Sequence, residues 1–216
     1  MQTPKGVVID ESEQGSREWL AARAPIFTAS EVWKLMCKQK NGTPYAARKD
    51  YITEIALSRI TGEAPQSYSS SDMAEGTARE PVARFAYEIA TGKDVETTGL
   101  WHNDIYGASP DGLVGDDGGV ELKNPKPATH YKTLQTEKVP ETYYWQVMQN
   151  LLVTNRNWWE YVSYHPSFPE HAQMFRKRFN RIDVAEDLAK LEKELVIANA
   201  EVEELVKSIN NYRGQS

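Results

Sequence analysis

Cysteine occurs once in the 216 residues, at Cys37. That excludes an internal disulfide framework and any zinc site built from several cysteines, and it fits a reducing, cytoplasmic setting. Histidine occurs four times, at His102, His130, His165 and His171, without the spacing of a zinc site or a Ser–His pair. Long apolar runs are missing too. Leu151-Leu152-Val153 is far too short to span a bilayer, and the opening MQTPKGVVID lacks the apolar stretch of a signal peptide. A basic excess is also absent: the net charge of −6 argues against holding a polyanion by a general basic surface. What remains is an ordinary globular composition, 40% apolar and 26% charged, of a length that suits one domain, or one domain with a small appendage.

The charge is unevenly placed. Residues 1–60 carry 9 basic and 7 acidic groups, 61–122 carry 3 and 12, 123–182 carry 9 and 4, and 183–216 carry 4 and 8. Carboxylates concentrated between basic segments are what a metal site beside a polyanion track needs. Composition alone favours the plainer alternative, a solvated acidic face.

The pattern runs helix, then sheet, then helix. Ser16 is placed to cap a short helix ending at Arg23. Thr28-Ala29-Ser30-Glu31 has the capping-box spacing ahead of Val32, Leu35 and Met36. Residues 38–44 form a basic turn, and 46–61 a helix with Ile52, Ile55, Ala56 and Ile60 on one face and Gly62 as its stop. A serine-rich loop at 65–71 leads to a second helix ending at Gly92, with Val82, Phe85, Ala86 and Ile89 expected inward. Pro81 predicts a break there, or a first turn.

From Val95 the period changes. Short strands are expected at 95–101, 105–109 and 120–123, a helix at 141–153, and strands at 158–164 and 175–182. In the tail, Val184, Leu188, Leu191, Leu195, Ala198, Val202, Leu205 and Ile209 form a heptad stripe suited to self-association or, more commonly, to packing on the chain's own body. The fold class is α/β or α+β, a mixed sheet flanked by helices. It reads as one domain over 1–216, with a helical part at about 1–92, a sheet core at about 93–182 and a C-terminal helix at about 183–212. Cys37, among helical apolar positions, reads as a small buried hydrophobe.

The chemistry lies between residues 107 and 125. Ser109-Pro110-Asp111-Gly112 puts an aspartate on a turn leaving a strand, and ten residues later Glu121-Leu122-Lys123 puts a glutamate and a lysine on one face of an extended segment. Two carboxylates with the Leu122 carbonyl make a hard oxygen site suited to Mg²⁺, and an adjacent lysine can position or deprotonate a water. An exposed hairpin with a Glu–Lys surface pair is the structural alternative. The aromatic group Tyr143, Tyr144, Trp145, Trp158 and Trp159 could stack bases, although core packing suits most of it better.

This constellation resembles the PD-(D/E)XK nuclease pattern, and the surrounding sequence is similar to the bacteriophage lambda exonuclease family, the YqaJ-type viral recombinases. Four stretches carry the resemblance: Gln14-Gly15-Ser16 with Trp19, Arg23 and residues 28–32; Gly76 with Arg79-Glu80; 109–112 with 121–125; and Tyr144, Gln146-Val147, Trp159, Tyr161 and 164–166.

The resemblance implies an Mg²⁺-dependent exonuclease, with Mn²⁺ as a substitute. Such an enzyme digests one strand of linear duplex DNA from the 5′ end and leaves 3′ overhangs for recombination by single-strand annealing. It also implies two metal ions per site, a toroidal homotrimer around DNA ends, a single-strand annealing protein as partner, and a phage or prophage origin in the host cytoplasm. By resemblance, Asp111, Glu121, the Leu122 carbonyl and Glu80 hold metal, Lys123 serves the attacking water, and Gln146 matches the helix glutamine of related nucleases. Those nucleases often carry a tyrosine four residues later, where this chain has Asn150. Arg23 and Ser30 match the grip on the terminal 5′ phosphate, Met73 the apolar wedge against the end base pair, and Lys40 is a candidate backbone contact. A metal-dependent endonuclease on the same core and a non-catalytic DNA-binding protein are the alternatives.

Overall fold

Ser16 shows the local physics at its simplest. Its Oγ accepts from the Trp19 N–H at 3.2 Å, which satisfies a donor that the first helical turn leaves unpaired, and helix α1 runs Arg17–Arg23 as expected. The computed structural model describes residues 3–64 and 71–212, with residues 71–78 described by their backbone alone.

In chain order, β1 (Val8–Asp10) precedes α1, and β2 (Phe27–Thr28), α2 (Trp33–Met36), α3 (Ala46–Thr61) and α4 (Ser71–Thr91) follow. Then come β3 (Leu100–His102), β4 (Tyr106–Ala108), β5 (Gly112–Val114), β6 (Gly118–Lys123), α5 (Pro127–Thr136), α6 (Glu141–Thr154), β7 (Trp158–Tyr164), β8 (Met174–Asn180) and α7 (Ala185–Asn210). The strands form two four-stranded mixed sheets, ordered β1-β3-β4-β2 and β5-β6-β7-β8. β2 pairs parallel to β4 and β6 parallel to β7; the other neighbours are antiparallel.

The expected strand at 95–101 is divided between the two sheets. Glu96 bridges Leu113 of β5, whereas Leu100 pairs with Asp10 of β1, so the chain changes sheet across residues 97–99. Gly99 is required in that passage, because a Cβ there would lie 2.1 Å from the Asp10 carbonyl oxygen. The chain changes sheet again between β4 and β5, and that second passage is Ser109-Pro110-Asp111.

Three local expectations are corrected. Thr28 ends β2 and caps nothing: its N–H donates to the buried Tyr51 hydroxyl at 2.8 Å, so Glu31 cannot close the box and pairs with Lys34 instead. Helix α4 continues through Pro81 without a break. Its inward residues are Ala83 and Tyr87, both fully buried, while Val82, Phe85 and Ile89 are 52%, 65% and 72% exposed. Tyr87 sets that rotation by packing with Val95, Val120 and Val162 and donating its hydroxyl to the buried Glu160 at 2.7 Å. The periodicity reading had no pattern for α5, a helix with proline in its first turn and few apolar positions.

The main core joins α2, α3, α6 and α7 to both sheets. On α7, Leu188, Leu191, Leu195, Ala198 and Val202 are buried against the chain's own body, while Leu205 and Ile209 are 39% and 54% exposed. Arg48 of α3 binds Glu194 and Glu201, and Arg59 binds Glu203, which fixes the rotation of α7. Cys37 is buried, and its thiol is pushed up to about 12 by desolvation and by Glu141. Trp145 and Trp159 are core residues.

If α7 is held by this stripe, Leu191→Ala should cost roughly 2–5 kcal/mol of unfolding free energy. Leu205→Ala should cost no more than about 0.5 kcal/mol. Urea denaturation of the two variants checks the difference.

Candidate functional site

An open cleft of about 370 Å³ lies where the chain makes its second passage between sheets, lined by residues from α1, α4, β6 and α6 and from the segments after β2 and β4. Arg23, Ser30, Glu80, Asp111, Leu122, Lys123 and Gln146, all singled out from sequence, line it. Glu121 lies just behind, with no exposed surface. Lys40 does not reach the cleft and sits exposed in the turn whose ends, Lys38 and Pro44, bridge. Met73 falls in α4, and its side chain lies outside the described residues.

β6 places Glu121 and Lys123 on one face, and the lysine Nζ lies 2.5 Å from Glu121 Oε1. That contact is an ion pair without a well-aligned hydrogen bond, so Oε1 keeps unused acceptor capacity in a buried place. The other oxygen, Oε2, accepts from Asn150 Nδ2 at 2.7 Å. Asn150, the departure from the related nucleases' tyrosine, is therefore a direct partner of the buried carboxylate.

Asp111 is tied to the same strand. Its Oδ2 accepts the Leu122 N–H at 2.7 Å. Gly112 pairs with Val120, and the β5–β6 pairing ends there, two residues short of Leu122. On a strand the N–H and C=O of one residue face the same side. The Leu122 carbonyl thus faces the Asp111 side, beyond the end of that ladder. Arg84 Nη2 donates to the Asp111 carbonyl oxygen and to Glu80 Oε1, each at 2.8 Å, and joins the third carboxylate to the group.

The electrostatics follow from drawing two half-buried acids, Asp111 and Glu80, up to the fully buried Glu121. Desolvation and the Glu121 charge push Asp111 up to about 7. Burial and Asp111 push Glu80 up, against Arg84 and Lys123. Burial alone would depress Lys123, but Glu121 and Asp111 outweigh it and keep the ammonium firmly charged. The donor set of carboxylate and carbonyl oxygens fits a hard divalent cation. Among the described residues no three His, Cys, Asp or Glu side chains are gathered tightly enough to enclose an ion. Asp111, Glu80 and Glu121 instead turn toward Leu122, Arg84, Lys123 and Asn150.

At the other end of the cleft, Arg23 Nη2 donates to Ser30 Oγ at 3.1 Å, and its guanidinium lies 4.0 Å from the centroid of the Trp19 ring. Gln149 Nε2 holds that end to the core by donating to the Phe27 and Gly107 carbonyls, both at 2.8 Å. Gln14, Tyr143 and Ser109 were noted in the sequence without a role in the site; Gln14 and Tyr143 line the cleft, and the buried Ser109 Oγ has no hydrogen-bond partner among the described residues. Ser109 was legible as part of the S-P-D-G string. Arg84 had no signal beyond helical spacing from Glu80, and Asn150 stood out only as the departure from the related nucleases' tyrosine.

The two-sheet core and this acidic cleft define a nuclease of the PD-(D/E)XK type. A model of the YqaJ-like viral recombinase domain matches residues 18–157. The alkaline exonuclease LHK-Exo from Laribacter hongkongensis is 36% identical over 90% of this chain and 96% of its own, with a TM-score of 0.79. Its structure in complex with dAMP matches over the same shares with a TM-score of 0.78. A phage-related exonuclease from Haemophilus somnus 129PT, 12% identical over 85% of this chain and 96% of its own, shares the fold at a TM-score of 0.67. No curated protein sequence matches. The chain belongs to the YqaJ-like viral recombinase family, whose nucleases act on DNA and depend on metal. Among the described residues no helix is long and apolar enough to cross a membrane.

The raised Asp111 has a consequence for the metal-free protein. An acid whose folded pKa lies above its ordinary 3.8 favours the folded state below that pH, and the advantage is lost as pH rises through about 7. In EDTA, Asp111→Asn should therefore unfold at the wild-type temperature near pH 4 and several degrees above it at pH 8.5. Thermal melts across that range check it; parallel curves would remove the assigned burial of charge.

Proposed function

We propose that the chain is a single nuclease unit that digests one strand of linear duplex DNA from the 5′ end, with Mg²⁺, leaving 3′ overhangs for annealing-type recombination. The Asp111–Glu121–Lys123 group, opening into the same cleft as the Arg23–Ser30 pair, carries this reading. An end-recognising pocket and a hydrolytic centre in one cleft suit an enzyme that works from a terminus.

Asp111, Glu121 and the Leu122 carbonyl would hold one Mg²⁺, and Glu80 with Asp111 a second. Bound there, the ions would offset charge on the phosphate and lower the pKa of a water. The chain's own residues do the rest. Asn150 holds Glu121 in its rotamer. Lys123, charged and beside Glu121, orients the attacking water and donates toward the phosphate oxygens. Gln146, nine-tenths buried and without a hydrogen bond among the described residues, offers an amide to the substrate phosphate. Arg23 and Ser30 grip the terminal 5′ phosphate, a pairing of guanidinium fork and hydroxyl suited to an anion.

Three copies closing around the duplex, and an annealing protein as partner, follow from the family resemblance. The exposed stripe of Val82, Phe85 and Ile89 beside the cleft helix gives such an assembly an apolar surface.

Two outcomes test the reading. With duplexes labelled at one 5′ or one 3′ end, wild type should release 5′-terminal nucleotides only with Mg²⁺ and leave closed circular DNA intact. Glu121→Gln should lose several kcal/mol of catalysis, on the order of 10³-fold. Nicking of the closed circle would favour an endonuclease instead. Secondly, a 5′-phosphorylated end should be cut faster than a 5′-hydroxyl end. Arg23→Ala should shrink that preference by about 10- to 100-fold, the worth of one or more charge-assisted bonds. Equal wild-type rates on the two ends would remove the pocket assignment.

A further inference from the structure

A second cleft, of about 720 Å³, adjoins the first and shares Asn124, Pro125 and Tyr143 with it. Its other described residues include Arg79, Lys126, Thr129, His165 and Ser167, and among the described residues no carboxylate lines it. In a chain of net charge −6, next to a buried acidic cluster, a cleft lined with arginine, lysine and histidine but no acid is a selective feature.

His165 shows that the cleft is built rather than incidental. It follows β7 directly, is only 8% exposed, and its own N–H donates to the Gln173 carbonyl at 2.9 Å. Its Nδ1 accepts the Ser167 N–H at 3.3 Å. In the neutral ring that places the proton on Nε2, and no described group hydrogen-bonds Nε2. Burial, His130 and Arg79 hold the ring below its ordinary pKa, so the neutral donor form is the resting one.

The ring is braced by Phe168 and His130, at centroid distances of 5.3 Å and 6.1 Å. His130 is itself committed, with Nδ1 against Ser163 Oγ and Nε2 against the Ala172 carbonyl. A fixed N–H donor thus lines the cleft beside two cationic side chains. The first turn of α5, which has no side-chain cap, adds the positive end of a helix. Groups of this kind suit an anion.

The topology says which anion. Lys123 and Ser163 are register partners on the parallel strands β6 and β7. His165 therefore lies one strand across from Lys123 and two residues further along, about 8 Å away given strand spacings of roughly 4.8 Å and 3.3 Å per residue. That is on the scale of one to two steps of a nucleic-acid strand, whose axial rise is about 3.4 Å per nucleotide. The Arg23–Ser30 pair lines the first cleft with Lys123 and not the second, next to the β2–β4 pairing of the first sheet, whereas His165 lines the second and not the first.

We propose that this cleft is a phosphate subsite for the retained part of the strand being cut, holding a phosphodiester one or two nucleotides to the 3′ side of the scissile bond through His165 Nε2, Arg79 and Lys126. The inference rests on the nuclease reading above and extends it by fixing the direction of the strand. The 5′ phosphate lies at Arg23, the scissile phosphate at Lys123, and the following backbone runs over β7.

Duplexes carrying one neutral methylphosphonate at the second, third or tenth internucleotide position from the 5′ end test it. Binding in EDTA reads the subsite without chemistry. For wild type, neutralising the second or the third position should weaken binding roughly tenfold, about one charge-assisted bond, and neutralising the tenth should change little. In Arg79→Ala, an exposed position, and in His165→Gln, the same modification should cost under twofold. A wild type indifferent to both near positions, or a penalty undiminished in both variants, overturns the subsite. Failure of wild type to release 5′ nucleotides from the unmodified duplex in Mg²⁺ would instead overturn the nuclease reading, and the EDTA comparison separates the two.

Discussion

The bond from the Leu122 N–H to Asp111 Oδ2 is the contact on which the site depends. It fastens the crossing between the two sheets to the strand that carries Glu121 and Lys123. Among the described residues the crossing segment has no ladder partner, and the β5–β6 pairing stops at Gly112–Val120, short of Leu122. Fold and chemistry therefore meet in the same few atoms. The side chain that secures the junction also brings a second carboxylate to the first, and the cost of that proximity appears as a strongly raised Asp111. Buried like charges of this kind destabilise the free protein, which is a reason to read them as functional.

Helix α6 supplies the support. Gln146, Gln149 and Asn150 are buried polar residues on a helix otherwise packed in the core. Gln149 holds β2 and β4 together through their carbonyls, Asn150 steadies Glu121 in the second sheet, and Gln146 opens into the cleft between them. One rigid helix thus sets the spacing between the Arg23–Ser30 end and the carboxylates. A shift of α6 would disturb both at once, so geometry at the cleft is coupled to core packing.

Much of this was legible in the sequence. The P-D-G and E-L-K strings sit on the turn and strand expected of them, and the Ser16 cap, the Gly62 stop and the α7 stripe are where local chemistry requires. Sequence reasoning failed where tertiary partners decide. Thr28 had the capping-box spacing, but Tyr51, far along the chain, takes its N–H. Val82, Phe85 and Ile89 form a proper helical stripe, yet Tyr87 and its bond to Glu160 turn the opposite face inward. The strand from Val95 could not be seen to divide between sheets, because periodicity carries no information on which partner a residue meets. Lys40, the candidate backbone contact, sits exposed in its turn outside the cleft lining.

The central claim is that the buried acidic group at the sheet junction is a cation site. The direct measurement is the unfolding temperature at pH 8 as Mg²⁺ is titrated against EDTA, for wild type and for Glu121→Gln. A ligand that binds only the folded state stabilises it in proportion to the logarithm of its concentration above Kd. Wild type should therefore rise steadily through the millimolar range, and the variant should stay flat. A wild-type temperature unmoved by Mg²⁺, or an equal rise in both proteins, would contradict the account.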